Sequence, residues 1–177
     1  MSEFRIRRLS PSAAVKEKRL AALLEAGGGG GPQLGAAVED AQVLGSLGLA
    51  GFEFTWEEAT ADHRGGSPPP AVAALKRALR AVDPRAPFSL AALLAWHGAA
   101  TGGEGTLRTR ERQRPEGPPP APPEFIRSRL EVVEQWLAAD SGRELAPHRR
   151  GALVMARIVE ILPFDDANGR VARLAAS

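Results

Sequence analysis

Apolar residues along this chain recur mainly at helical spacing, and three segments rich in Gly and Pro cut the pattern into blocks: GGGGGP at Gly27 to Pro32, RGGSPPP at Arg64 to Pro70 and PEGPPPAPP at Pro115 to Pro123. Before the first break, Val15, Leu20, Leu23 and Leu24 share a face and predict a helix over 11–25. After it, LGAAVEDAQVLGSLGLAG predicts a second helix that weakens at Gly45 and Gly48 and ends around Gly51, where a glycine cap belongs. The prolines at 68–70 can open a third helix that runs through Val82, and Ser89 is suited to N-cap a fourth, LAALLAWHGAAT. Two further amphipathic helices follow from PEFIRSRLEVVEQWLAAD and LAPHRRGALVMARIVEIL, the second with Leu153, Val154, Ile158 and Ile161 as its inward face.

One block breaks this period. GEGTLRTRERQRPEG alternates Leu107, Thr109, Glu111 and Gln113 with Arg108, Arg110, Arg112 and Arg114, a spacing of two bounded by Gly, and predicts a small hairpin or extended flap. The fold class is therefore all-α, a helical bundle with a small β-hairpin flap, since the strands are too few for a sheet-centred fold.

Composition narrows the chemistry. The 177 residues, 44% of them hydrophobic, can bury one sizeable core. The absence of Cys removes disulfides, thiolate metal sites and a cysteine nucleophile. The isoelectric point of 9.6 accompanies a formal charge of only +2; with twenty Arg, three Lys and no Tyr, almost nothing titrates between neutrality and about pH 10. Nucleic acid is thus not expected as a partner, and the basic start PHRRG has no preceding helix and turn that would make a helix-turn-helix. No apolar run of about 18 residues or signal-like leader is present, so the sequence reading is cytoplasmic with no membrane partner.

The densest polar stretch is ILPFDDANGR, Ile161 to Arg170. Pro163 should stop the preceding helix near Leu162 and Phe164 should anchor the turn. The small residues let backbone N–H groups converge on an anion, and a helix beginning near Asn168 or Gly169 would aim its donors and dipole at the same point. A carboxylate there repels an anion unless it holds a divalent cation, which makes Asp166 a candidate Mg²⁺ ligand. Arg170 and Arg173, three apart, can face the same way and clamp further phosphate oxygens. Taken alone, DDANGR also reads as a plain turn.

LPFDDANGRVAR resembles the signature of the Fic domain, His-Pro-Phe-x-Asp/Glu-Gly-Asn-Gly-Arg-x-x-Arg, with Pro163, Phe164, Asp166, Asn168, Gly169, Arg170 and Arg173 matching. ALVMARIVEI resembles the long helix that leads into that loop, and GTLRTRERQRPEG resembles the flap that positions targets, with its Gly-x-x-Arg; the similarity covers residues 39–174. The resemblance implies an all-α protein that binds Mg²⁺ and ATP and transfers AMP to a hydroxyl of a target protein. In that pattern Asp166 holds Mg²⁺, the Asn168 and Gly169 backbone holds the α- and β-phosphates, and Arg170 and Arg173 hold the outer phosphates. The flap residues Leu107, Arg108, Thr109 and Arg110 would pair with an extended target segment. The organisation implied is an N-terminal helix and Gly-rich linker over 1–35, an inhibitory-helix-like segment over 36–66 and a Fic-like core over 67–177, shortened at its C-terminal end because only VARLAAS follows Arg170.

Two departures bear on activity. The family's first motif residue, the histidine that takes the proton from the target hydroxyl, is Leu162 here, and general-base catalysis is typically worth about 10²- to 10⁴-fold. Asp165 is the nearest substitute and a weak one, because a carboxylate beside a bound cation holds a proton poorly. Among the histidines, His97 and His148 read as surface or packing residues. Ala167 also stands where the family usually has Gly. Upstream, SLGLAG fits the inhibitory frame Ser/Thr-x-x-x-Glu-Gly/Asn from Ser46 to Gly51, with Ala50 at the glutamate, so Arg173 is expected to lack its clamp. The expectation is a catalytically impaired Fic-like protein that retains ATP binding; a non-catalytic nucleotide- or protein-binding pseudoenzyme and a truncated remnant stand as alternatives.

Overall fold

The computed structural model describes residues 32–83, 85–114 and 117–177, so the helix expected over 11–25 lies outside the described residues. The chain divides into two compact units, Met1–Val38 and Glu39–Ser177; of the first, only the opening turns of one helix are described. The helices are α1 (Pro32–Gly48), α2 (Trp56–Ala59), α3 (Pro70–Arg80), α4 (Leu90–Thr101), α5 (Pro123–Ala138), α6 (Asp140–Arg143), α7 (Pro147–Ile161) and α8 (Asn168–Leu174), with a 3₁₀ turn at Ala61–Arg64. Among the described residues none is long and apolar enough to cross a membrane.

Local chemistry sets these boundaries. Ser89 caps α4 by accepting from Ala92 N at 3.1 Å, and Thr55 and Glu58 form a reciprocal capping box on α2. Proline occupies the first turn of α3, α5 and α7, where its missing N–H is harmless. Helix α1 ends at Gly48, three residues before the expected stop, and the turn closes at Gly51 with φ 84°.

Helix α3 packs on α4, α4 against α5 and α8, and α7 against α5 and α8. Leu75, Leu93, Ile126, Leu130, Ile158, Phe164 and Val171 are fully buried at their junctions; each such side chain contributes about 1.5–3 kcal/mol. On α7 the inward face is Val154, Ile158 and Ile161. Leu153, expected to join them, is 37% exposed, because it sits a helical step (about 100°) away from the stripe that its neighbour at 154 begins.

No strand forms among the described residues, and the expected hairpin gives way to an extended segment that is taken up by the end of α7. The last carbonyls of a helix have no intrahelical donor, and Pro163 removes the N–H that would have met Val159 O. Arg114 donates to Val159 O and to Glu160 O (3.2 Å). Arg108 donates to Leu162 O at 2.6 Å and Ile161 O at 3.4 Å, and its own N–H donates to Pro163 O at 2.9 Å. Its remaining donors go to Arg110 O (2.7 Å) and Ala121 O. Five successive carbonyls, Val159 to Pro163, thereby accept from one short segment, whose positive charges also suit the negative end of the helix dipole. Arg108 is consequently only 3% exposed, and burial pulls its guanidinium pKa down, which a strict alternation of solvated arginines does not anticipate. Gly105 lets the segment approach α4, since a Cβ there would overlap Leu94 O.

A buried charge cluster joins α1, the 3₁₀ turn and α3. Lys76, 2% exposed, places Nζ 2.7 Å from both Asp40 Oδ1 and Asp62 Oδ1, while His63 Nε2 lies 3.5 Å from Asp40 Oδ2. Asp40, Asp62 and His63 also sit at metal-ligand spacing, but the ammonium of Lys76 already supplies the cation. Burial acts to lower the Lys76 pKa, yet the two carboxylates outweigh it and leave it raised.

Three outcomes test this architecture. Arg108→Lys should lower unfolding free energy in urea by at least about 2 kcal/mol, because one ammonium cannot replace a fork that serves several carbonyls. Lys76→Met should lose about 3–5 kcal/mol in the same assay by stranding Asp40. The hydrogen bond from Lys76 also holds the Asp62 carboxyl below its ordinary value. That contribution is present above the carboxylate range and is lost as pH falls through the lowered value, so the melting temperature should drop on acidification below about pH 4, less so in Lys76→Met.

Candidate functional site

The turn between α7 and α8 is built around two unusual backbone positions. Leu162 ends α7 in the left-handed region (φ 49°), with its N–H on Ile158 O at 2.9 Å, and Ala167 opens α8 from the same region (φ 54°). For a residue with a Cβ each such conformation costs about 1–2 kcal/mol, and the surrounding bonds must hold it. They do so through Asn168, whose amide Oδ1 accepts from Phe164 N at 2.9 Å and whose Nδ2 donates to Phe164 O at 2.7 Å. The Phe164 ring is fully buried, so this amide clasp ties the loop to the core. The Asn168 side chain is thus a structural strut, and only its backbone N–H is available with those of Gly169 and Arg170, the first-turn donors of α8. A Cβ at Gly169 would lie 3.2 Å from Arg173 Nη1, so glycine leaves that guanidinium room.

Arg170 and Arg173 project from α8 as their spacing predicts. Arg170 lies over the Phe52 ring, 5.6 Å from its centroid, reaches Ala100 O at 3.4 Å and comes within 3.9 Å of Asp166 Oδ2. Arg173 donates through Nε to Ser46 Oγ at 2.8 Å and through Nη2 to Ser46 O at 2.7 Å. No carboxylate pairs with Arg173 among the described residues, and burial, then the charge of Arg170, pulls its pKa down. A guanidinium with no carboxylate beside it among the described residues, next to a second that meets Asp166 at 3.9 Å, favours an anion. A cavity of about 210 Å³ opens beside them, lined by Gln42, Val43, Ser46, Leu75, Arg170 and Arg173 among others.

Asp166 is 66% exposed at the loop tip. His97 of α4 faces it, with Nε2 3.4 Å from Asp166 Oδ1, and the imidazole stacks on Phe164 at 4.0 Å and 9°. Burial lowers the His97 pKa against the opposing pull of Asp166.

The loop residues Leu162, Asp165, Asp166, Asn168, Gly169, Arg170 and Arg173 form one continuous turn and helix start, with Asp165 exposed. Ser46 joins them from α1 through Arg173, whereas Ala50 and Gly51 are exposed in the turn after that helix. Arg173 was expected to lack its clamp; among the described residues its side chain donates to the hydroxyl and carbonyl of Ser46. Of the flap residues, Leu107 is half-buried and Arg108 buried, while Thr109 and Arg110 are exposed. Phe52 was missed by sequence reasoning; the apolar FEF after the glycine turn was its only signal. His97, read as a packing residue, packs and also meets a carboxylate, 69 residues away in sequence.

The sequence model of the Fic/DOC family matches residues 87–177, just over half of the chain. Over 55 residues the chain is 36% identical to protein adenylyltransferase fic-1 of Caenorhabditis elegans, a stretch that makes up 31% of this chain and 11% of that relative. The solved Fic-1 fragment (residues 134–508) from C. elegans superposes with a TM-score of 0.66 at 23% identity, covering 77% of this chain and 46% of that one. A Fic domain containing signaling protein from Bacteroides thetaiotaomicron gives 0.77 at 20% identity, covering 90% and 70% of the two chains. A Fic family protein from Desulfovibrio desulfuricans gives 0.73 at 18%, covering 96% and 57%. This chain therefore spans less than half of the C. elegans relative, and the structural likenesses speak to fold. Taken with the match over 87–177, they show that the chain belongs to the Fic/DOC family.

Proposed function

We propose that this chain is a Fic-type nucleotide-binding protein whose capacity for AMP transfer is strongly impaired by Leu162. The observation that carries the reading is the convergence of Asp166, the free first-turn N–H groups of α8, Arg170 and Arg173 on one loop that begins with a residue unable to accept a proton. Mg²⁺ and ATP fit the donor set: Asp166 is an exposed oxygen donor, and Arg173 meets no carboxylate among the described residues.

In this reading Asp166 holds the cation, the backbone of Asn168 and Gly169 binds inner phosphate oxygens, and Arg170 and Arg173 bind the outer ones. Mg²⁺, when bound, would offset phosphate charge. Arg173 exchanges its bonds to Ser46 for phosphate, so Ser46 acts as a weak, neutral hold where a glutamate would be a strong one. Thr109 and Arg110 offer the exposed edge along which an extended target segment could pair, the role expected of the flap. Asp165 is the substitute base and supplies little. A pseudoenzyme that binds nucleotide without turnover is the alternative, favoured by the same leucine.

Titration calorimetry of Mg²⁺-ATP should give micromolar binding that Arg173→Ala abolishes. Leu162→His should then raise AMP transfer by about 10²- to 10⁴-fold. A folded protein that binds no nucleotide, or binds it and gains nothing from the histidine, would contradict the proposal.

A further inference from the structure

We infer that His97 is a positioning residue for Asp166, donating Nε2–H to its carboxylate so that the acid is held ready for a divalent cation; this rests on the nucleotide-binding reading above. The geometry has three parts. Nε2 faces Asp166 Oδ1 at 3.4 Å. The ring plane is fixed by stacking on Phe164, which is itself clasped by Asn168. Nδ1 is buried with no hydrogen-bond partner among the described residues, so a proton there would be a stranded donor, whereas a proton on Nε2 meets an anion.

The arrangement also explains why the group is an imidazole. Arg170 already approaches the other carboxylate oxygen, Oδ2, at 3.9 Å. A second permanent cation on Oδ1 would compete with the metal, while a neutral N–H orients the carboxylate and adds no charge. His97 is not itself suited to ligate the cation, because a ligating imidazole almost always donates its other N–H to an acceptor, and Nδ1 meets none among the described residues. Fixed carboxylates bind metals more tightly than mobile ones, and loss of the group that orients a ligand typically costs about 10–100-fold in metal affinity.

The test uses the full chain. Ring ¹⁵N shifts should place the His97 proton on Nε2, with the signal perturbed in Asp166→Ala; this readout needs no metal or nucleotide. Mn²⁺ binding in the presence of ATP, followed by electron paramagnetic resonance, should weaken about 10-fold or more in His97→Phe, which keeps a stacking ring but removes the donor. His97→Gln, which restores an N–H, should recover part of that affinity. A proton on Nδ1, or unchanged Mn²⁺ affinity in a folded His97→Phe protein, overturns the inference. If the tautomer is as stated but neither the native protein nor Asp166→Ala binds Mn²⁺, the nucleotide-binding reading fails, and the metal role of His97 falls with it while the hydrogen bond stands.

Discussion

Five successive carbonyls at the end of α7 point beyond any helical donor, and the turn that follows depends on Arg108 and Arg114 supplying what the helix cannot. Without those donors, a left-handed Leu162 followed by Pro163 would leave the buried carbonyl of Ile161 and the part-buried carbonyls of Glu160 and Leu162 short of partners, at a free energy that a small domain does not have to spare. With them, α7 stops at one residue, Phe164 drops into the core, and α8 starts from a fixed point. The same extended segment has its own exposed residues at Thr109 and Arg110, so under the proposed reading the element that would meet a target strand is also the element that holds the loop.

The electrostatics of the loop run in the opposite sense to those of the body. Around Lys76, charges are buried in closely balanced sets that fix α1 and α3 together. At α8 they are balanced more loosely, with Arg173 resting on the hydroxyl and carbonyl of Ser46 and Arg170 on an aromatic face, 3.9 Å from Asp166 Oδ2. Neutral partners hold a guanidinium more weakly than a carboxylate does, so an arriving phosphate can displace them. The charge cluster and the Ser46 contact both reside on α1, which makes that helix the link between the buried body and the proposed anion site.

Much of this was legible in the sequence where the cause is local. Ser89 and the prolines of α3, α5 and α7 mark helix starts because capping acts within a turn, and the helical stripe of Val154, Ile158 and Ile161 follows from spacing alone. The motif residues matched the family pattern in order, and the turn they form is continuous. What escaped depends on partners far along the chain. The arginine alternation looked like a solvated strand because the carbonyls that bury Arg108 come more than fifty residues later. His97 looked like a packing residue because Asp166 lies on another element, and Ser46 entered as a motif position without its contact to Arg173.

The central claim is that a preformed loop holds phosphate through α8 and its two arginines while offering Leu162 in place of a base. It is tested most directly by a crystal structure of the protein with Mg²⁺ and a non-hydrolysable ATP analogue. The account predicts phosphates over the start of α8, Arg173 released from Ser46 onto them, and the Phe164–Asn168 clasp unmoved. Nucleotide bound elsewhere, or a loop that must unfold its clasp to accept it, would contradict the account.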